Sequence, residues 1–145
     1  MHMSDGLAAS LLLPVFVNVA LVFFILIKTG IGRTAAVRAR TVRLRDIALD
    51  TRAWPEDLRK LSNNYDNQFQ LPVLFYLVVG FALVTGKVDH AMIAMAWGFV
   101  ATRYAHYYIH TGRNYVPNRF YIFVAGTIAL VTMWIWFAVR LYWIG

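Results

Sequence analysis

Four long apolar runs constrain this chain more than any other feature. They cover residues 7–27, 69–84, 91–109 and 120–143. A helix of about 20 residues, rising about 1.5 Å per residue, crosses a hydrocarbon core of about 30 Å. With 60% hydrophobic and 14% charged residues, the chain is far more apolar than a soluble domain. We therefore predict an all-α integral membrane protein, a four-helix bundle forming a single transmembrane domain over residues 1–145.

Positive charge is concentrated between the first two runs. Nine of the fourteen Lys and Arg residues lie there, namely Lys28, Arg33, Arg38, Arg40, Arg43, Arg45, Arg52, Arg59 and Lys60. Such a segment beside membrane spans attracts anionic headgroups and sets the orientation of the protein. Because this explains the net charge of +7, we do not expect a nucleic-acid partner.

The distribution of charge also predicts the orientation. Adding Arg113 and Arg119 of the third loop gives eleven basic residues on one side of the membrane, against Lys87 and Arg140 on the other. The positive-inside rule places the side with more Lys and Arg in the cytoplasm. We call this side the basic end. Both termini are then expected outside.

Two absences limit the chemistry. The chain has no cysteine, so any thiol chemistry must use the sulfur of a substrate. The apolar runs contain no Asp or Glu, whereas proton-coupled transporters usually rely on a carboxylate within the membrane. His106 and His110 have the i, i+4 spacing of metal ligands, but Tyr107 occupies the position where a zinc-protease helix carries its glutamate. We predict no metal site.

Polar side chains at membrane depth form two stripes near the basic end. A helix predicted to begin after Pro55 continues into the second span, and its stripe consists of Asn63, Asn67 and Gln70. The stripe of the third helix consists of Arg103, His106 and His110. Their spacings place each set on one helical face. Facing one another, with Arg119 at the start of the fourth helix, they would line a cationic pocket open to the cytoplasm.

A plainer interpretation of the same residues remains open. Arg and Tyr side chains extend to lipid headgroups, and Asn and Gln side chains hydrogen-bond neighbouring membrane helices. For Asn18, inside the first span, a hydrogen bond between packed helices is the expected role.

With these residues assembled, the sequence resembles the MAPEG family, the membrane-associated proteins in eicosanoid and glutathione metabolism. The resemblance covers almost the whole chain. It rests on the four spans, the basic first loop and three segments: NQFQLPVLFY at 67–76, RYAH at 103–106 and HTGRNYVPNRF at 110–120. The last two segments are similar to bacterial members, which implies a bacterial inner membrane.

The family pattern on the second helix is Arg, Asn four residues later, Glu three further on, and then Pro. In this chain those positions hold Asn63, Asn67, Gln70 and Pro72. The family's arginine late in the third helix matches Arg103, and its thiol-activating arginine matches Arg119. His110 stands where members often carry tyrosine.

The resemblance implies a homotrimer that binds glutathione as co-substrate between adjacent subunits. It gives Arg119 the catalytic role. Arg103 would bind a glutathione carboxylate, and Asn67 and Gln70 would contact the glutathione backbone or amine. The implied function is a membrane-embedded glutathione-dependent transferase or peroxidase acting on lipophilic electrophiles. The alternative, favoured by Asn63 and Gln70, is a non-catalytic lipid-binding or scaffold membrane protein of the same fold.

Overall fold

The computed structural model describes residues 5–48 and 50–143. Every regular element among them is helical, which confirms the predicted all-α fold: α1 (Asp5–Arg38), α2 (Leu44–Ile47), α3 (Glu56–Asn67), α4 (Leu71–Val84), α5 (His90–Thr111) and α6 (Val116–Tyr142), with a 3₁₀ turn at Thr51–Ala53. The two chain ends, predicted to lie outside the cytoplasm, extend beyond the described residues.

Three described segments are long and apolar enough to cross a membrane, namely Gly6–Arg38, Glu56–Val84 and Val116–Tyr142. Large apolar side chains such as Phe16, Phe23 and Ile128 are exposed on these segments. That surface suits hydrocarbon rather than water. The chain is thus built as a membrane protein with at least three span-competent segments.

Helix α5 has 22 residues but is less apolar, because its second half contains arginine and histidine. It packs chiefly against α6 and also against α1 and α3. Its apolar first half contributes to the main core, where the Phe99 ring stacks on Phe75 of α4 at a centroid distance of 4.8 Å. The fourth predicted span corresponds to α6, and the third to α5.

Helix α1 extends beyond the first predicted span. The basic segment that follows the first span was predicted as a loop, yet α1 continues to Arg38 and has 34 residues. Arginine is a good helix former, and α3 covers this extension. The Nη2 atom of Arg33 donates to Ser62 Oγ at 2.8 Å. The Leu58 side chain of α3 packs directly over Gly32, where a Cβ would require Leu58 Cδ2 to shift.

The second predicted helix is interrupted. Helix α3 ends at Asn67 and α4 begins at Leu71, with Pro72 in its first turn. Proline lacks a backbone N–H, and its ring clashes with the carbonyl four residues earlier, so the helix cannot continue unbroken. Gln70 precedes α4 in a non-helical conformation and is exposed. The prediction that Gln70 shares a helical face with Asn63 and Asn67 was therefore wrong.

Hydrogen bonds also join α1 to the rest of the bundle. The Asn18 side chain is fully buried, and its Nδ2 donates to Tyr76 Oη of α4 at 2.7 Å. The Tyr104 hydroxyl of α5 donates to the Val17 carbonyl at 2.9 Å. The predicted packing role of Asn18 is confirmed.

At the end of the bundle opposite the basic end, Asp89 connects α5 to α6. Its Oδ1 accepts from the Met92 backbone N–H at 2.8 Å and caps α5. The indole Nε1 of Trp136 donates to Oδ2 at 3.0 Å, and Arg140 Nε lies 3.2 Å from the same oxygen. One carboxylate therefore combines a helix cap with a contact between helices.

We expect Asp89→Ala to lower the free energy of unfolding by about 1–2 kcal/mol, because loss of an N-cap alone costs about 1 kcal/mol. Asp89→Asn is the matched control. Its amide oxygen preserves the cap acceptor, so its melting temperature in detergent should lie between those of Asp89→Ala and the parent. Equal melting temperatures for Asp89→Ala and the parent would show that this junction contributes nothing.

Candidate functional site

A cavity of about 390 Å³ opens where α3, the end of α5 and the start of α6 meet. Its lining consists of Asn63, Asn67, His106, His110, Val116, Arg119, Phe120 and Phe123. Five of the seven residues predicted from the sequence are brought together here. The volume is within the usual range for small-molecule sites, about 300–1,000 Å³.

The start of α6 positions Arg119. This helix begins at Val116, four residues before the predicted span, and Pro117 suits its first turn because no N–H is needed there. Asn114 adopts a positive φ of 51° in the preceding turn, a conformation that asparagine tolerates better than most residues. Its Oδ1 accepts from Arg119 Nη1 at 2.9 Å. This bond orients the guanidinium toward the cavity.

No carboxylate forms an ion pair with Arg119 among residues 5–48 and 50–143. Its positive charge is therefore available to a ligand. The described residues of the cavity lining include neither Asp nor Glu, and their polar groups are a guanidinium, two imidazoles and two amides. Such a set favours an anion over a cation.

His106 and His110 lie one turn apart on α5, with 2% and 3% of their surfaces exposed. Between them and α3 lies the fully buried side chain of Asn64. Its Nδ2 is 3.5 Å from Nδ1 of His106 and 3.3 Å from Nδ1 of His110. Gln68, also buried, contacts Asn64 in turn.

Sequence reasoning missed Asn64 and Gln68 as site residues. Their i, i+4 spacing was a usable signal, but the stripe one residue earlier, Asn63 and Asn67, has the same spacing. Choosing between two such stripes requires the rotation of α3 about its own axis, which tertiary packing sets. In the structure Asn63 and Asn67 face the cavity, while Asn64 and Gln68 support the histidines from behind.

Arg103 does not line the cavity. Only 1% of its surface is exposed, and its guanidinium carbon lies 5.3 Å from the ring centre of Phe99 and 5.8 Å from that of Phe123. Gly126 of α6 makes room for it, since a Cβ there would lie 2.6 Å from Nη2. Because Phe123 belongs to the cavity wall, Arg103 lies directly behind that wall.

The Nε and Nη2 atoms of Arg103 find no hydrogen-bond acceptor in the described part of the chain. Buried charged groups normally have such partners, and an unpaired one is costly. Two of its nitrogens are therefore free to donate to an anionic group, beyond the contacts of the guanidinium with the Phe99 and Phe123 rings. Gln70 remains apart from this cluster, on the surface before α4.

The sequence model of the MAPEG family matches residues 11–139, a range that includes every residue of the cavity. No curated protein matches the chain, and no solved structure does.

Proposed function

Since the chain belongs to the MAPEG family, we propose that it is a membrane-embedded glutathione-dependent transferase or peroxidase acting on lipophilic electrophiles. One observation carries the proposal. The guanidinium of Arg119, without a carboxylate partner in the described residues, lies in a polar cavity on a bundle whose outer surface suits lipid. Glutathione supplies anionic groups for such a cavity, and the bilayer supplies the electrophile.

Arg119 would act on the glutathione sulfur. A cysteine thiol has an unperturbed pKa of about 8.5, and a neighbouring cation favours its thiolate. The thiolate attacks the electrophilic atom, a sulfur bond forms, and the leaving group departs with the displaced electron pair. Exposed Phe120 and Tyr121 at the start of α6 offer an apolar approach from the membrane.

Other polar side chains would hold the rest of the peptide. Asn63 and Asn67 can donate to or accept from peptide groups. Arg103 is proposed to bind a glutathione carboxylate, which requires Phe123 to move aside. The buried guanidinium behind that ring, whose Nε and Nη2 have no hydrogen-bond acceptor among the described residues, supports this assignment.

We propose a homotrimer of four-span subunits, with glutathione bound between neighbours. Gln70 supports this arrangement, because it is exposed beside the helix break and lies outside its own subunit's cavity. A neighbouring subunit could bring it to a ligand. Native mass spectrometry should give a trimer; a monomer that binds glutathione with full affinity would contradict the shared site.

We further propose that the basic loop lies in the cytoplasm and that the membrane is a bacterial inner membrane. A reporter domain that is active only outside the cytoplasm should be active when it is fused to either terminus. A cytoplasmic signal from either fusion would overturn this orientation.

Purified protein in detergent should conjugate glutathione to a chromogenic aryl electrophile at a rate proportional to protein concentration. The same preparation should reduce a lipid hydroperoxide if peroxidase activity is present. Absence of both activities, in protein that is folded by circular dichroism, would count against the enzymatic proposal.

The lack of a carboxylate among the described residues of the cavity lining favours a second function. Among the described residues that line this cavity, the glutathione ammonium has no Asp or Glu to bind, whereas a fatty acid or anionic lipid needs only the guanidinium, the imidazoles and the amides. On that alternative the protein is a non-catalytic lipid-binding or scaffold protein. Mass spectrometry would then find a stoichiometric anionic lipid that Arg119→Ala fails to retain. Detection of only detergent and loosely associated lipid would argue against this alternative.

A further inference from the structure

A chain of hydrogen bonds behind the cavity begins at a backbone carbonyl. Where α3 ends, the backbone N–H of Gln68 donates to the Tyr65 carbonyl at 2.9 Å, three residues earlier. The Asn64 carbonyl, four residues earlier, instead lies 3.4 Å from the side-chain Nε2 of Gln68. A carbonyl oxygen can only accept, so the Gln68 amide must direct its NH₂ group toward Asn64.

That NH₂ group determines the orientation of the next amide. Gln68 Nε2 also lies 3.3 Å from Asn64 Oδ1, which accepts its second hydrogen. With Oδ1 engaged in this way, the Asn64 NH₂ group points to the opposite side. There it lies 3.3 Å from His110 Nδ1 and 3.5 Å from His106 Nδ1.

An amide NH₂ group has two hydrogens and can therefore donate to both rings. Each Nδ1 must then be the bare, accepting nitrogen, and a neutral imidazole with a bare Nδ1 has its proton on Nε2. Both histidines line the cavity while Asn64 does not. Because Nδ1 of each ring is turned toward Asn64, the opposite ring edge, which carries Nε2, is the one left to face the cavity.

We propose that Asn64 and Gln68 are positioning residues that hold His106 and His110 as Nε2–H tautomers, so that the cavity presents two imidazole N–H donors to an anionic ligand. This series of hydrogen bonds starts at the Asn64 carbonyl, which can only accept, and passes through side chains that are at most 3% exposed. Combined with Arg119, it makes the inner wall of the cavity a set of donors.

Applied to glutathione, and resting there on the proposed function, this assignment identifies the form that binds. A ring with Nε2 protonated cannot take the thiol proton at that atom. Two N–H donors and the Arg119 guanidinium favour the thiolate, so the thiol proton passes to the solvent and these three groups receive the negative sulfur. His106 and His110 are donors in this site and not general bases.

The test is ¹⁵N NMR of histidine-labelled full-length protein in lipid nanodiscs, without any ligand. The chain has four histidines, and His106→Gln and His110→Gln identify the two relevant rings by loss of their signals. We expect a bare Nδ1 and a protonated Nε2 in both. Protonation of Nδ1 in either ring of the unaltered protein would overturn the proposal.

Asn64→Asp is the informative variant, because a carboxylate accepts and cannot donate. At least one of the two rings should then carry a proton on Nδ1. Asn118→Asp, the same change at an exposed position in the first turn of α6, should leave both tautomers unaltered. Gln68→Met releases the Asn64 amide and should give a mixture of tautomers; an unchanged pure Nε2–H state in both Asn64→Asp and Gln68→Met would contradict the assignment.

Glutathione affinity provides a separate measurement. We expect Asn64→Asp to weaken binding by at least about tenfold, the effect of losing one hydrogen bond to a charged group. Because the NMR experiment contains no glutathione, it can succeed even if the protein binds another anion. Failure of the tautomer assignment and failure of the glutathione proposal are therefore distinguishable.

Discussion

Arg119→Ala should lower kcat/KM for glutathione conjugation by at least about 100-fold, the usual cost of removing one group that stabilises developing or resting negative charge. Among the described residues that line the cavity, Arg119 is the only arginine or lysine, and Asn114 orients its guanidinium. Without it the sulfur is bound largely as a thiol at neutral pH, which is a poor nucleophile. Steady-state kinetics with a chromogenic electrophile measure the change.

Two matched variants make this result specific. Arg119→Lys retains a positive charge without the planar fork and should keep part of the activity. Arg113→Ala removes an exposed arginine of the turn between α5 and α6 that does not line this cavity, and its rate should match the parent. If folded Arg119→Ala kept more than half of the parental kcat/KM, Arg119 would not be the activating group.

Arg103→Met should have opposite effects on stability and on ligand binding. Methionine fills much of the buried volume without a charge, so we expect the free energy of unfolding to rise by about 1–3 kcal/mol. The reason is that Nε and Nη2 lack hydrogen-bond acceptors among the described residues. Glutathione affinity should fall by at least about tenfold, since a buried charge-assisted hydrogen bond is lost.

Thermal melting in detergent, with and without glutathione, measures both effects. Arg33→Met is the control, because Arg33 donates to Ser62 and lies over the Trp54 ring, and its loss should lower stability. If Arg103→Met melted below the parent and bound glutathione normally, Arg103 would be a structural residue rather than a ligand-binding one.

The helical fold and its membrane character could be predicted from local sequence properties. The limits of α5 and α6 are close to the predicted spans because local signals determine them. Asp89 caps the start of α5, and Pro117 suits the start of α6. Arg119 was predicted correctly to lie at the beginning of the last helix for the same reason.

The errors have a different physical origin. Positive charge does not end a helix, so the basic segment from Lys28 stays helical to Arg38 while α3 packs against it. The break before Pro72 interrupts the helical phase, which removes Gln70 from the face of Asn63. A continuous helix was assumed in the prediction, and its spacing rule does not apply across three non-helical residues.

The depth of a side chain also depends on the neighbouring helix. The spacing of Arg103, His106 and His110 places all three on one face of α5. Only the histidines reach the cavity, because Phe123 of α6 covers the guanidinium and Gly126 leaves space for it. Such differences within one face follow from the side chains of the facing helix.

Isothermal titration calorimetry of glutathione into purified protein tests most directly whether this cavity is a glutathione site. We predict saturable binding at millimolar or lower concentration, weakened at least about tenfold in Arg119→Ala, as expected when one charged partner is lost. Absence of any binding heat at millimolar glutathione, in folded and lipid-free protein, would contradict the proposed function.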